Sequence, residues 1–430
     1  MIQKTKVKQT EIRVIPENWE LTKLSNAIDI NPNRLLKKGV SAKKVSMDCL
    51  ATFNKKIQSF EYSNFTGGSK FINGDTLMAR ITPCLENGKI SFVDILNNDE
   101  VGFGSTEFIV LSKKENKTIN EFVYYLSISP FLRDNAIQSM TGTSGRQRVQ
   151  TDLFGDVEIP LPSLPEQQAI AKILSDLDDK IELNKKMNQT LEEIGKNLFK
   201  RWFIDFEFPN EKGQPYKLSG GKMVYNEELK KRIPKGWNVD KLEKLSKIQP
   251  GYAFKSDDFI IDGIKVIKIR NIQNNTVDLD SSDHISVDLF NNTDKKFYLS
   301  SGDIIIAMTG AELGKIGVFP KIKEIMVLNQ RVGKVVSNKA IMYLYLNTNE
   351  LQELMKGISS TSSAQGNISN IDIEKVMIPI PNNIEFNKYN DSLTLLFNRI
   401  VDNLGQNIIL SNIKDSLLPK LMSGKIRVKY

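Results

Sequence analysis

Residues 160–174 read PLPSLPEQQAIAKIL: Pro160 and Pro162 are separated by one residue, Pro165 immediately precedes Glu166, and an apolar helical pattern sets in at Ile170. A proline in or just before a first helical turn costs little, because its missing N–H would be unpaired there anyway, and a carboxylate beside it suits the positive helix end. The pattern therefore predicts that a long helix begins in mid-chain. Ile170, Leu174, Leu177, Ile181, Asn184, Asn188, Leu191, Gly195, Leu198 and Trp202 follow in alternating steps of four and three, the seam of a coiled coil. A helix of roughly 35–40 residues is expected, about 55 Å long at about 1.5 Å per residue.

The stretch has an echo. Ile378-Pro379-Ile380-Pro381 is again followed by a glutamate, Glu385, and Pro160 to Pro379 is a shift of 219 residues. At that shift Ile181, Asn184, Asn188, Leu191, Ile194 and Leu198 fall on Ile400, Asn403, Asn407, Leu410, Ile413 and Leu417. Upstream, Ile15-Pro16-Glu17-Asn18-Trp19 returns as Ile233-Pro234-Lys235-Gly236-Trp237, a shift of 218, and Gly74-Asp75 returns as Gly302-Asp303, a shift of 228. The landmarks keep their order, so the chain is a duplication whose halves differ by insertions in the middle. Asparagines at matching seam positions favour a coiled coil over a helix lying on a globular core, because a buried Asn costs stability while fixing register.

Between landmarks the halves read as short strands. Lys70-Phe71-Ile72, Thr76-Leu77-Met78-Ala79, Ile90-Ser91-Phe92-Val93 and Phe108-Ile109-Val110-Leu111 lie between Gly and Asn turns, with helical patterns around 120–137 and 340–357. Gly74-Asp75 and Gly302-Asp303 read as tight turns into buried strands. The expected class is α+β: a first globular domain over 1–159, a long helix over 160–204, a Pro/Gly/polar linker over 205–222, a second globular domain over 223–378 and a C-terminal helix over 379–430 that ends near Pro419. The two helices are expected to pack together.

Composition bounds the function. The chain has 430 residues, 40% hydrophobic and 26% charged, with no apolar run near the roughly 20 residues of a membrane span. Its first residues, MIQKTKVKQTEIRV, show no apolar signal-peptide core, and Cys49 and Cys84 form no CxxC pattern, so a cytoplasmic protein without disulfide or zinc framework is expected. A formal net charge of +8 favours a polyanionic partner.

Catalytic motifs are missing. His284 is the only histidine and lies in a polar stretch, which excludes a two-histidine metal site. Gly310-Ala311-Glu312-Leu313-Gly314-Lys315-Ile316 fails as a phosphate loop, with three residues between the glycines and Ile where Ser or Thr should hold magnesium. Asn31-Pro32-Asn33-Arg34 is not the base-gripping motif of an amino-methyltransferase, and no glycine-rich cofactor fingerprint follows a strand.

Two loops instead concentrate long polar side chains among small residues. Met140–Val149 carries Thr143, Ser144, Arg146, Gln147 and Arg148; its partner at shift 219, Ser359–Ile368, carries Gln365 and Asn367. Small residues allow close approach to a phosphate backbone, and Arg, Gln and Asn make paired contacts to guanine or adenine edges. Arg80, Thr82 and Lys89 in the first half, and Lys268, Arg270, Asn271, Thr309, Lys315, Asn329, Gln330 and Arg331 in the second, complete the candidate DNA-binding set.

The region LPSLPEQQAIAKILSDLDDKIELNKKMNQTLEEIGKNLFKRWF, residues 161–203, resembles the central conserved region of a type I restriction–modification specificity subunit, and the resemblance extends over nearly the whole chain. It implies two tandem target recognition domains reading the halves of a bipartite site in double-stranded DNA, with the helices forming an antiparallel coiled coil of pseudo-two-fold symmetry that acts as spacer. It further implies two methylation subunits docked on the helices, restriction (translocase–nuclease) subunits completing the assembly, no catalysis in this chain, and S-adenosylmethionine, ATP and Mg held by the partner subunits. The second copy departs from the pattern: Glu385-Phe386-Asn387-Lys388-Tyr389 stands where the family keeps Glu-Gln-x-x-Ile. The competing expectation is a coiled-coil adaptor that binds proteins and no DNA.

Overall fold

The computed structural model describes residues 7–9, 14–143, 145–362 and 367–429. The chain divides into two compact units: Met1–Ile181 with Leu410–Tyr430, and Glu182–Ile409. Both contain sheets and helices, and each takes a part of both long helices, Leu164–Phe199 and Asn383–Met422.

In the first unit, Glu158–Leu161 pairs antiparallel with Glu20–Lys23, Pro160 opposite Leu21. A two-stranded edge tolerates a proline that cannot donate to a ladder. The helix then starts at Leu164 with Pro165 in its first turn. Glu166 is fully buried: Trp19 donates from Nε1 to its carboxylate at 2.9 Å, and Arg427 donates from Nε and Nη2 at 2.5 and 2.9 Å. Gln167, also buried, accepts from the Ile119 N–H at 3.2 Å and donates to the carbonyls of Lys117 and Pro162 at 2.8 and 2.9 Å. The Glu-Gln pair thus clamps the helix start to the globular segment and to the chain's C-terminal arm.

Two four-stranded sheets build the globular part, ordered Glu61–Asn64, Ser41–Val45, Gly102–Gly104, Ser69–Phe71 and Ile28–Ile30, Phe108–Lys113, Thr76–Ala79, Ile90–Phe92. Phe108–Lys113 is covered on both faces: Phe108 and Val110 pack with Phe71 and Leu77, whereas Ile109 and Leu111 pack with the helix Asn120–Ile128 and with Ile170, Leu174, Leu418 and Leu421. The helical pattern expected around 120–137 is split at Ser129-Pro130 into two helices, Asn120–Ile128 and Pro130–Gln138, as the proline requires.

The second unit repeats the plan with more strands, in sheets of six and five. Asn238–Lys241 pairs with Met377–Ile380, the counterpart of the first unit's edge pair. Ala79 faces Phe108 in the first unit and Ala307 faces Val332 in the second. Asp75 accepts from the Ile72 N–H at 2.9 Å and Asp303 from the Ser300 N–H at 2.8 Å, with Gly74 at φ 92° and Gly302 at φ 76°, so both Gly-Asp pairs form the same turn.

Two expectations change, and the one departure from the family pattern finds its structural account. Residues 205–222 are no loose linker: Phe206 and Phe208 are buried, and Phe208 stacks on Trp237 with ring centroids 5.3 Å apart. Burying two phenylalanines secures a segment that polar composition alone reads as a tether. The second long helix runs through Pro419 to Met422, because a proline in the last turn disturbs little beyond it. Finally, the helix start lacking a Glu-Gln pair is held by aromatic packing: Tyr389 is buried, with Trp202 at 5.1 Å and Phe208 at 5.8 Å.

The helix parts within each unit run antiparallel. In the second unit Asn184 donates from Nδ2 to Asn407 Oδ1 at 2.9 Å and Asn403 donates to Asn188 Oδ1 at 2.8 Å, so four residues forward on one helix are four back on the other. In the first unit Lys414 pairs with Asp178 at 2.7 Å, both largely buried. None of the seam residues Leu177, Ile181, Asn184, Asn188, Leu191, Leu198, Ile400, Asn403, Asn407, Leu410 and Leu417 is exposed, whereas Ile194 and Ile413, matched by the repeat but off the seam, are. Among the described residues no helix is long and apolar enough to cross a membrane, and no group of three or more His, Cys, Asp and Glu is placed to hold a metal ion.

Candidate nucleic-acid interface

In the first unit the strand Thr76–Ala79 runs on as Arg80-Ile81-Thr82 and meets the hairpin formed by Met140–Thr141 and Arg148–Val149. The Arg80 N–H donates to the Glu107 carbonyl at 2.9 Å and the Val149 N–H donates to the Arg80 carbonyl at 2.8 Å, while Ile81 bridges Arg148. The Thr82 N–H donates to the Gln147 carbonyl at 3.0 Å, and the Gln147 N–H donates to Thr82 Oγ1 at 3.1 Å. Arg80, Thr82, Gln147 and Arg148, separated by up to 68 residues of sequence (Arg80 to Arg148), thus sit on one three-stranded junction. Beside it the Arg146 N–H donates to the Thr143 carbonyl at 3.0 Å, and Thr143 and Arg146 are exposed; Ser144 lies outside the described residues.

Arg148 is ion-paired. Its Nε donates to both Glu107 carboxylate oxygens at 3.0 Å and its Nη2 to Oε1 at 2.7 Å. The guanidinium holds the Glu107 carboxyl below its usual range, which outweighs the opposing effect of partial burial. Lys89 is tied down as well, donating from Nζ to the Met47 carbonyl at 3.0 Å.

The second unit builds the same junction from other residues. The Met308 N–H donates to the Arg331 carbonyl at 3.1 Å, the Ile368 N–H donates to the Met308 carbonyl at 3.1 Å, and Thr309 bridges Asn367. Gln330, Arg331 and Asn367 are exposed here, and Thr309 and Asn329 are half-buried; Gln365 lies outside the described residues.

The remaining candidates gather elsewhere. Lys268 and Arg270 converge on Asp283, each at 2.5 Å, and the Lys268 ammonium lies 3.5 Å from the Phe259 ring centroid. Burial raises the Asp283 pKa, but the two cations prevail and its carboxyl titrates below its ordinary value. Lys315 pairs with Glu312 at 2.7 Å, so the loop that imitates a phosphate site has its lysine engaged. Asn271 is a correction: its side chain is fully buried, accepting from the Lys268 N–H at 2.9 Å and donating to the Asp278 carbonyl at 3.1 Å. A side chain consumed by a turn cannot reach a base edge.

Sequence reasoning missed Glu107 altogether. It lies 224 residues before Arg331, a shift found nowhere among the sequence landmarks, and only strand register makes the two equivalent. Also missed is a polar knot at the first unit's helix pair: the half-buried Lys55 donates from Nζ to Ser175 Oγ at 3.1 Å and Tyr125 Oη at 3.3 Å, and Tyr125 donates to Asp178 Oδ2 at 2.8 Å.

Comparison with known proteins accords with this architecture. Residues 16–193 and 234–401 each match the family model described as the type I restriction modification DNA specificity domain. The chain is 28% identical over 450 aligned positions to the type I restriction enzyme MjaIX specificity subunit of Methanocaldococcus jannaschii, covering 99% of this chain and 97% of that protein. It is 25% identical to the HindI specificity subunit of Haemophilus influenzae, over 82% of this chain and 86% of that one. The crystal structure of the type I restriction–modification system S subunit from M. genitalium shares its fold, with a TM-score of 0.54 over 97% of this chain and 98% of that one at 16% identity.

Proposed function

The chain belongs to the type I restriction–modification DNA specificity family, and from that premise we propose that it reads a bipartite sequence in duplex DNA, one half through each unit's three-stranded junction. The observation that carries this reading is the recurrence of one backbone junction with different side chains on it: Arg80, Glu107 and Arg148 in the first unit, and in the second the polar Arg331 and Asn367, with the apolar, buried Met308 at the place of Arg80. A fixed scaffold that varies its side chains at one spot suits two half-sites of unlike sequence. Exposed Arg146, Gln330 and Arg331 supply contacts to phosphates and base edges.

In this reading the helix pair sets the number of unread base pairs, its register pinned by the seam asparagines. It also docks two methylation subunits, which bring S-adenosylmethionine and flip the target adenine. Restriction subunits bring ATP and Mg, and this chain performs no chemistry of its own.

The test is to co-express the chain with its methylation subunit and map N6-methyladenine across the host DNA by single-molecule sequencing. A split motif with an unread gap is expected. A soluble complex that methylates at random or not at all would favour the protein-binding adaptor.

A further inference from the structure

The Glu107–Arg148 pair has two possible roles: a structural tie holding the hairpin on the sheet, or part of the reading surface. The second unit decides between them. There the same three strands meet through the same backbone hydrogen bonds, yet Arg331 replaces the glutamate and Asn367 replaces the arginine. The junction therefore forms without an ion pair at this place.

A guanidinium offers two edges with paired donors, Nε–Nη2 and Nη1–Nη2. Glu107 occupies the first edge of Arg148. The second is left for a bidentate acceptor, and guanine presents one in its N7 and O6. The exposure gradient agrees, the Arg148 side chain being 43% exposed and that of Glu107 26%, so the carboxylate underlies the guanidinium. An arginine already fixed along one edge loses less conformational freedom on binding.

Resting on the DNA-reading function proposed above, we infer that Arg148 reads a guanine in the first unit's half-site with Glu107 as its positioning residue, and that Arg331 with Asn367 is the counterpart reading pair of the second unit. Arginine suits guanine and asparagine suits adenine, so the two half-sites differ in sequence at the base pairs facing this junction.

The test uses the co-expressed complex and base frequencies at every position of the methylated motif, for wild type, Arg148→Lys, Glu107→Gln and Arg331→Ala. Arg148→Lys keeps the charge but loses the fork, and should relax the preference for one guanine by roughly tenfold or more. Glu107→Gln should relax that same position, and Arg331→Ala should alter only the other half-site. A purely structural role for Glu107 would lower methylation at all sites alike and leave every base preference unchanged, which would overturn the inference. So would a split motif without guanine in the half-site that Arg148→Lys affects, or one that neither first-unit variant alters. If wild type yields no split motif, the DNA-reading function fails and this inference with it.

Discussion

The side-chain amide of Asn403 donates to Oδ1 of Asn188 across the helix pair at 2.8 Å, with both residues buried. Asn188 in turn donates to the Ile400 carbonyl at 3.3 Å, and one turn away Asn184 meets Asn407. The exchange is incomplete, since Oδ1 of Asn184 and Oδ1 of Asn403 are buried without a hydrogen-bond partner. Such a seam trades stability for one register.

Asn188→Ala should therefore destabilise the second unit by about 1–3 kcal/mol, because it leaves the Asn403 amide buried and unpaired. The double variant Asn188→Leu with Asn403→Leu should be near neutral or more stable than wild type, since apolar pairs carry no unmet hydrogen bonds. Chemical denaturation measures both, and a double variant weaker than Asn188→Ala would contradict the argument.

Glu166 carries Trp19 and Arg427 on one fully buried carboxylate. Removing it strands a guanidinium and an indole N–H, so Glu166→Ala should cost about 3 kcal/mol. Removal of residues 424–430, which takes away Arg427 and the packing of Gly424 on Pro16, should weaken the same unit. A melting temperature unaffected by either change would show that the clamp contributes little.

Burial holds the Lys55 ammonium below the usual lysine range, with Asp178 and Asp179 opposing the shift. The folded chain gives up this proton before the unfolded chain does, so between the two pKa values the unfolded state binds more protons and stability rises with pH. Relative to Lys55→Met, the wild type should gain stability as pH climbs toward about 10.4, with a constant difference near neutrality. Urea titrations over that range give the sign directly.

Lengthening both long helices by one heptad, about 10 Å of rise, should lengthen the unread spacer of the methylated motif and leave both half-site sequences unchanged. Altered half-site sequences would show that the helices do more than set distance.

Asn271→Ala should lower stability by about 1–2 kcal/mol through its lost turn bonds and leave the methylated motif unaltered. Gln330→Ala, at an exposed position beside the second unit's three-stranded junction, should leave stability unchanged and, under the proposed function, alter one half of the methylated motif. The two variants separate a buried turn residue from a surface contact that sequence alone ranks equally.

The sequence by itself determined the duplication, the α+β class, both long helices and the asparagine seam, because each is written in local spacing: a period near 3.5 places Ile170, Leu174, Ile181 and Asn188 on one face whatever surrounds it. It also placed the polar loop of the first half and both Gly-Asp turns; of the second loop, expected over 359–368, residues 359–362 belong instead to the helix Asn349–Ser362, and 363–366 lie outside the described residues. Tertiary structure alone decided what each polar residue does. Glu166 meets Arg427 across 261 positions, Glu107 takes Arg148, Asn271 vanishes into a turn, and Phe206 and Phe208 make the supposed linker part of a core. Glu107 finds Arg148 through strand register, and Glu166, Phe206 and Phe208 find their partners through the packing of segments distant in sequence; neither is encoded by a local period.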